Sequence, residues 1–158
     1  MICGIIDLGS NTIRLSIYQC ENGHGRLLTN RKVMAGLAGY VADGALSQEG
    51  IQVACQTLEE YKALMSNLGF ANLRVFATAS LRNVSNTDEA VSQIQASTGL
   101  AVDVISGTEE ARLSFLGAVQ GRGPENGLLI DLGGGSVIGG GKLGIIAGPC
   151  SVESEEQI

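Results

Sequence analysis

A chain of 158 residues with 44% apolar content is long enough to bury one core, and that composition excludes wholesale disorder. A formal net charge of −6 excludes a general nucleic-acid binder, because affinity there comes from neutralising phosphates. An anionic ligand would therefore have to be held locally, by a few arginines and backbone N–H groups, against an unfavourable overall field.

Residues 2–8 form a short apolar run with no basic leader, and no stretch is apolar for long enough to span a bilayer. The expectation is a cytoplasmic protein with no membrane partner. The run ends in Asp7-Leu8-Gly9-Ser10-Asn11, a strand followed by a turn. Residues 12–20 alternate, with Ile13, Leu15 and Ile17 on one face, and predict a second strand. Gly23 and Gly25 mark a hairpin turn, and residues 26–35 return as a third strand. His24, the only histidine, lies in that turn and reads as solvated. Residues 36–44 read as a loop.

Ser47 then caps a long helix in which Ile51, Cys55, Leu58, Tyr61, Met65 and Leu68 follow helical spacing, with Gly69 at the position that ends it. Residues 72–78 predict a strand, 79–85 a polar loop, 87–98 a helix stopping at Gly99, and 101–105 another strand. Ser106 and Glu109 have capping-box spacing and open a helix to about residue 120. A glycine-rich link leads to a strand at 128–132. The order β-β-β-α-β-α-β-α-β predicts an α/β fold with a mixed sheet, and the hairpin start together with the lack of GxGxxG excludes a Rossmann unit. Cys3, Cys20, Cys55 and Cys150 show no CxxC spacing and read as reduced thiols.

One internal echo carries most of the chemical information. Ile5-Ile6-Asp7-Leu8-Gly9-Ser10 recurs as Leu129-Ile130-Asp131-Leu132-Gly133-Gly134-Gly135-Ser136. Each copy delivers an Asp at the end of a strand and turns through Gly into a hydroxyl residue. Such a turn lets backbone N–H groups approach a phosphate, while the Asp can hold a Mg²⁺ that bridges to phosphate oxygens.

These paired loops resemble the phosphate loops of the actin, sugar-kinase and heat-shock ATPase superfamily, whose fold is ribonuclease-H-like. Four motifs in order make the resemblance specific. They are Asp7-Leu8-Gly9-Ser10-Asn11-Thr12, Ala77-Thr78-Ala79-Ser80-Leu81-Arg82, Ile105-Ser106-Gly107-Thr108-Glu109-Glu110-Ala111-Arg112 and Ile130-Asp131-Leu132-Gly133-Gly134-Gly135-Ser136. Over residues 2–136 the chain resembles the N-terminal domain of the exopolyphosphatase/guanosine pentaphosphate phosphatase (Ppx/GppA) family.

That resemblance implies Mg²⁺-dependent hydrolysis of the terminal phosphoanhydride of polyphosphate, or of the 5′-phosphate of guanosine pentaphosphate. By similarity, Gly9, Ser10, Asn11 and Thr12 form the first phosphate loop, and Gly133, Gly134, Gly135 and Ser136 the second. Asp7 and Asp131 are the metal group, Arg82 clamps phosphate, and Glu110 activates the attacking water. The residues agree on the last point. Glu109 has a local task at the capping position, which leaves Glu110 for chemistry.

The chain also departs from the family. Its second loop is usually followed by Thr-Glu, where this sequence has Val137-Ile138, so an expected carboxylate is replaced by isoleucine. Residues 137–158 resemble instead the first strand and helix start of 3-deoxy-7-phosphoheptulonate synthases, read as a foreign or truncated tail. The family's second, cleft-closing domain has no room in this sequence, which predicts impaired hydrolysis. Two other readings stand beside it: a non-catalytic phosphate-binding or interaction module, with a homodimer through the exposed face, and an ATP-binding kinase-like half.

Overall fold

The computed structural model describes residues 1–119, 129–130, 136–140 and 143–147. The chain divides into two compact units, Met1–Val104 and Ile105–Ile158.

The first unit is built on alternation. In β1 (Ile2–Leu8), Ile6 and Leu8 are buried while Asp7 between them is exposed. Strand β2 (Thr12–Glu21) buries Ile13, Leu15 and Ile17 and pairs antiparallel with β1, setting Asp7 opposite Arg14. Strand β3 (His24–Met34) pairs antiparallel with β2 and is exposed along its length at the sheet edge. The turn between β2 and β3 is Asn22-Gly23, with φ of 50° and 76°, the two-residue mirror-image turn whose twist suits a hairpin. The turn therefore occupies residues 22–23, and His24 and Gly25, expected in the turn, belong to β3.

The loop expected at 36–44 has structure of its own. A 3₁₀ turn, Leu37–Tyr40, leads into a two-strand ribbon, β4 (Val41–Ala42) and β5 (Ala45–Leu46). Asp43-Gly44, with φ of 51° and 78°, turns it in the same way as Asn22-Gly23.

Helix α1 (Gln48–Asn67) begins as expected: the Ser47 side chain accepts the Gly50 N–H at 3.2 Å. It ends with Gly69 at φ 78°, whose N–H donates to the Ser66 carbonyl at 2.9 Å while the Phe70 N–H donates to Met65 at 2.9 Å. Those two bonds satisfy carbonyls that the helix itself leaves open. Strand β6 (Leu73–Ala77) then lies parallel to β1, followed by a short helix α2 (Ala79–Arg82) and α3 (Thr87–Thr98). The predicted polar loop is helical at α2 because Ser80 and Leu81 are buried there. Strand β7 (Val102–Val104) pairs parallel with β6.

The sheet order is β3-β2-β1-β6-β7, antiparallel on the hairpin side and parallel on the other, so the α/β fold with a mixed sheet is as expected. Ile6, Leu8, Ile13, Leu15 and Val75 form one core with Ile51, Ala54, Leu58 and Met65 of α1 and Ala90 and Ile94 of α3. Asn86, just before α3, clasps the ribbon: its side chain accepts from Leu46 N–H and donates to Leu46 C=O, both at 2.9 Å.

The second unit contains α4 (Gly107–Val119) and a three-stranded sheet in the order β8-β10-β9. Here β10 (Leu143–Ala147) runs parallel to β8 (Leu129–Ile130) and antiparallel to β9 (Ser136–Gly140). Among the described residues, no helix is long and apolar enough to cross a membrane.

Tyr61 of α1 reaches through the core to donate its hydroxyl to the Ile13 carbonyl at 3.1 Å and the Arg31 carbonyl at 3.3 Å. Burial raises its pKa above the ordinary 10. A raised folded-state pKa contributes stability below pH 10 that is lost as pH climbs through the folded value. Tyr61→Phe is expected to lose about 1 kcal/mol at neutral pH by denaturant titration. The variant should also show a shallower alkaline loss of stability above pH 10 than the parent.

Candidate functional site

Strands β1, β6 and β7 end in one row. Leu8 is paired with Ala77, and Ala77 with Val104. The segments that follow β1 and β6 therefore leave the sheet at the same end, the carboxyl end of parallel strands where α/β sheets generally place ligands. At Val104 the chain passes to the second unit.

The first segment is the tight connection Gly9-Ser10-Asn11 between β1 and β2. The Gly9 N–H donates to the Thr12 carbonyl at 3.1 Å. A Cβ on residue 9 would lie 2.8 Å from that same carbonyl oxygen, so no larger residue fits without moving backbone. Gly9 is thus required first by the chain's own turn.

The Ser10 carbonyl accepts from Ala38 N–H at 2.9 Å and the Asn11 carbonyl from Gly36 N–H at 2.8 Å. Both carbonyl dipoles, which would repel an anion, are thereby occupied by the 3₁₀ segment. The Thr12 hydroxyl, predicted to bind phosphate, donates to the Met34 sulfur at 3.4 Å. Asp7 lies exposed one residue before the end of β1, between Arg14 of β2 and Phe76 of β6 in register.

The second segment carries Arg82 at the end of α2, its N–H donating to the Thr78 carbonyl at 2.9 Å. A buried hydrogen bond holds this turn against β1: the Ser80 hydroxyl donates to the Leu8 carbonyl. Sequence reasoning missed Ser80 as a positioning residue, since a serine in a polar stretch carries no sign of burial. It likewise missed Gly36 and Ala38.

In the second unit, Ser106 caps α4 as expected, accepting the Glu109 N–H at 3.1 Å. The reciprocal half of the capping box is replaced. The Glu109 carboxylate takes a two-pronged bond from Arg112, 2.9 Å to each oxygen, and that contact lowers its pKa. Glu109 thus has its local task, with Arg112 as partner in place of the Ser106 N–H. Glu110 is bonded through its backbone N–H to the Ser106 carbonyl at 2.9 Å.

Asp131, Gly133, Gly134 and Gly135 lie outside the described residues, and Ser136 opens β9. Ile138, in place of the expected carboxylate, pairs with Ile145 across β9 and β10.

No group of three His, Cys, Asp or Glu side chains able to hold a metal occurs among the described residues. Of the two expected metal ligands, one hard carboxylate, Asp7, lies among the described residues. That suits Mg²⁺, which is commonly held by one or two carboxylates and completes its octahedron with water and phosphate oxygens.

The Ppx/GppA phosphatase family model matches residues 16–138. Exopolyphosphatase 1 of Mycobacterium tuberculosis is 29% identical over 160 aligned positions, covering 100% of this chain, residues 137–158 included, and 44% of that protein. The crystal structure of the Aquifex aeolicus member of the Ppx/GppA family superposes with a TM-score of 0.77 at 30% identity, covering 95% of this chain and 51% of that one. An exopolyphosphatase from Cytophaga hutchinsonii gives a TM-score of 0.75 at 30% identity, over 85% of this chain and 44% of that one. The chain spans about half the length of the relatives it matches. It belongs to the Ppx/GppA phosphatase family and has the α/β architecture of that family.

Ser80→Ala is expected to lose about 1–3 kcal/mol of stability in denaturant titration, because the buried Leu8 carbonyl is left without a donor. Ser80→Thr, which keeps the hydroxyl, should recover part of that loss.

Proposed function

We propose that this member of the Ppx/GppA phosphatase family cleaves the terminal phosphoanhydride bond of polyphosphate, and that guanosine pentaphosphate presents the same chemistry to the same groups. What supports this most directly is the level ending of β1 and β6, which sends the Gly9–Thr12 turn and the Arg82 turn out of one end of one sheet. The locked Ser10 and Asn11 carbonyls add to it, since they remove the repulsion an anion would meet there.

In this reading the Gly9-Ser10-Asn11 backbone and the Ser10 hydroxyl hold the terminal phosphate. Arg82 grips two of its oxygens, as a planar guanidinium can. Glu110 orients and deprotonates the attacking water. Asp7 and Asp131 would be the Mg²⁺ ligands, and the ion would supply charge neutralisation for the transferred phosphoryl group. By the family resemblance, residues 133–136 supply the second phosphate loop. Ile138 removes one carboxylate from this set, and we propose slow turnover as the consequence. The resemblance of the tail to 3-deoxy-7-phosphoheptulonate synthases contributes no residue to the reaction.

The test is phosphate release from polyphosphate with Mg²⁺, read beside calorimetric titration with a short polyphosphate. Glu110→Gln should lower the release rate by roughly 10²–10⁴-fold while leaving the heat of binding in place. Arg82→Ala should weaken binding by about 10–150-fold, the value of a hydrogen bond to a charged group. Equal release from parent and Glu110→Gln would remove that residue from catalysis. Binding without any release would favour the non-catalytic phosphate-binding module, the reading that Ile138 favours. No heat at all would remove phosphate binding.

A further inference from the structure

The hydrolytic reading leaves two thiols unused on the first two strands. Cys3 is paired in register with Tyr18, and Cys20 lies two residues beyond Tyr18 on the same strand. Side chains two apart on a strand share a face, so Cys3, Tyr18 and Cys20 stand on one face of the sheet. It is the face of the exposed Asp7, opposite the one that buries Ile6 and Leu8 against α1 and α3.

The backbone fixes the diagonal. The Cys20 N–H donates to the Met1 carbonyl at 2.7 Å, and the Met1 ammonium donates to the Cys20 carbonyl at 3.0 Å. Cys20 is opposite Gly25 on β3, which has no side chain to lay over it. Both thiols are only partly buried. Burial first, and then the neighbouring Cys20, raise the Cys3 pKa, against a smaller opposing effect of Arg74.

Cys55 differs, because it sits on α1 with the partly buried residues packed against the core.

From this placement we propose that Cys3 and Cys20 form a reversible dithiol site that reacts with low-molecular-weight disulfides of the glutathione class. One thiolate attacks a sulfur of the small disulfide, expelling one thiol and leaving a mixed disulfide on the protein. The second thiol, after giving up its proton, displaces the remaining small thiol. The protein thiols lose two electrons and two protons, and the small disulfide leaves as two thiols.

A diagonal strand pair, about 7–8 Å apart, exceeds the roughly 6.8 Å of Cα separation that a disulfide usually spans. Closing the bond therefore draws the ends of β1 and β2 together and leaves a strained bond that is readily reduced again. The ring it closes contains residues 4–19, and with them the whole Gly9-Ser10-Asn11 turn. Asp7 is four residues along β1 from Cys3, roughly 13 Å at the rise of a strand, so the thiols lie well away from the carboxylate.

The experiment uses the full chain incubated with glutathione disulfide, then alkylated and mapped by mass spectrometry without reduction. The expected product is a Cys3–Cys20 cross-link, reversed by dithiothreitol, with a thermal midpoint raised by at least about 4 °C. In Cys20→Ser the mixed disulfide should accumulate on Cys3 and the midpoint should not rise. Cys55→Ala should behave as the parent. A stable mixed disulfide on the parent chain, or a cross-link formed with Cys55 or Cys150 in place of this pair, would overturn the proposal. Neither result bears on phosphate release, so the hydrolytic reading stands or falls separately.

Discussion

The arrangement of this site depends on the buried hydrogen bond from the Ser80 hydroxyl to the Leu8 carbonyl. Register alone sets Ala77 beside Leu8, but the backbone leaves the sheet immediately afterwards on both strands. Without a fixed point past the sheet, the Arg82 turn and the Gly9–Thr12 turn could drift independently. Ser80 supplies that point one residue before Gly9 and two before Arg82. The carbonyl it satisfies is at the end of β1, where no further ladder bond follows on that side, and leaving it unpaired in the interior would be costly.

A second constraint is electrostatic. The protein carries a net charge of −6, so any anion at this end of the sheet would have to be held locally, against an unfavourable overall field. Each unit neutralises one local source of repulsion without adding any charge. In the first unit, the Gly36 and Ala38 N–H groups occupy the Asn11 and Ser10 carbonyls, which lowers the repulsion an anion would meet at that turn. In α4, Arg112 engages Glu109 and neutralises one of two adjacent carboxylates.

Strand β1 links both themes to the dithiol. It carries Cys3, Ile5 and Asp7 on one face and Ile6 and Leu8 on the other, so one seven-residue strand supplies a core, a carboxylate and a thiol. Alternation makes this possible, because each function takes its own side of the pleat. The tight Asn22-Gly23 turn holds the β2–β3 hairpin in register, and with it the face on which Cys20 is displayed.

Much of this was legible in the residues themselves. Alternating apolar positions located the strands, helical spacing from Ile51 to Leu68 located α1, and Ser47, Gly69 and Gly99 marked helix ends, because these signals are local. The motifs of residues 7–12 and 77–82 likewise followed strand ends, as their Gly and hydroxyl residues suggest. What sequence could not settle depended on neighbours distant along the chain. Leu81 made a helix of an expected loop because the core buries it. Met34 took the Thr12 hydroxyl, Arg112 took the Glu109 carboxylate, and Gly36 and Ala38 took the loop carbonyls. Each of those outcomes is a competition between partners that only packing brings within reach, so tertiary structure alone decided it.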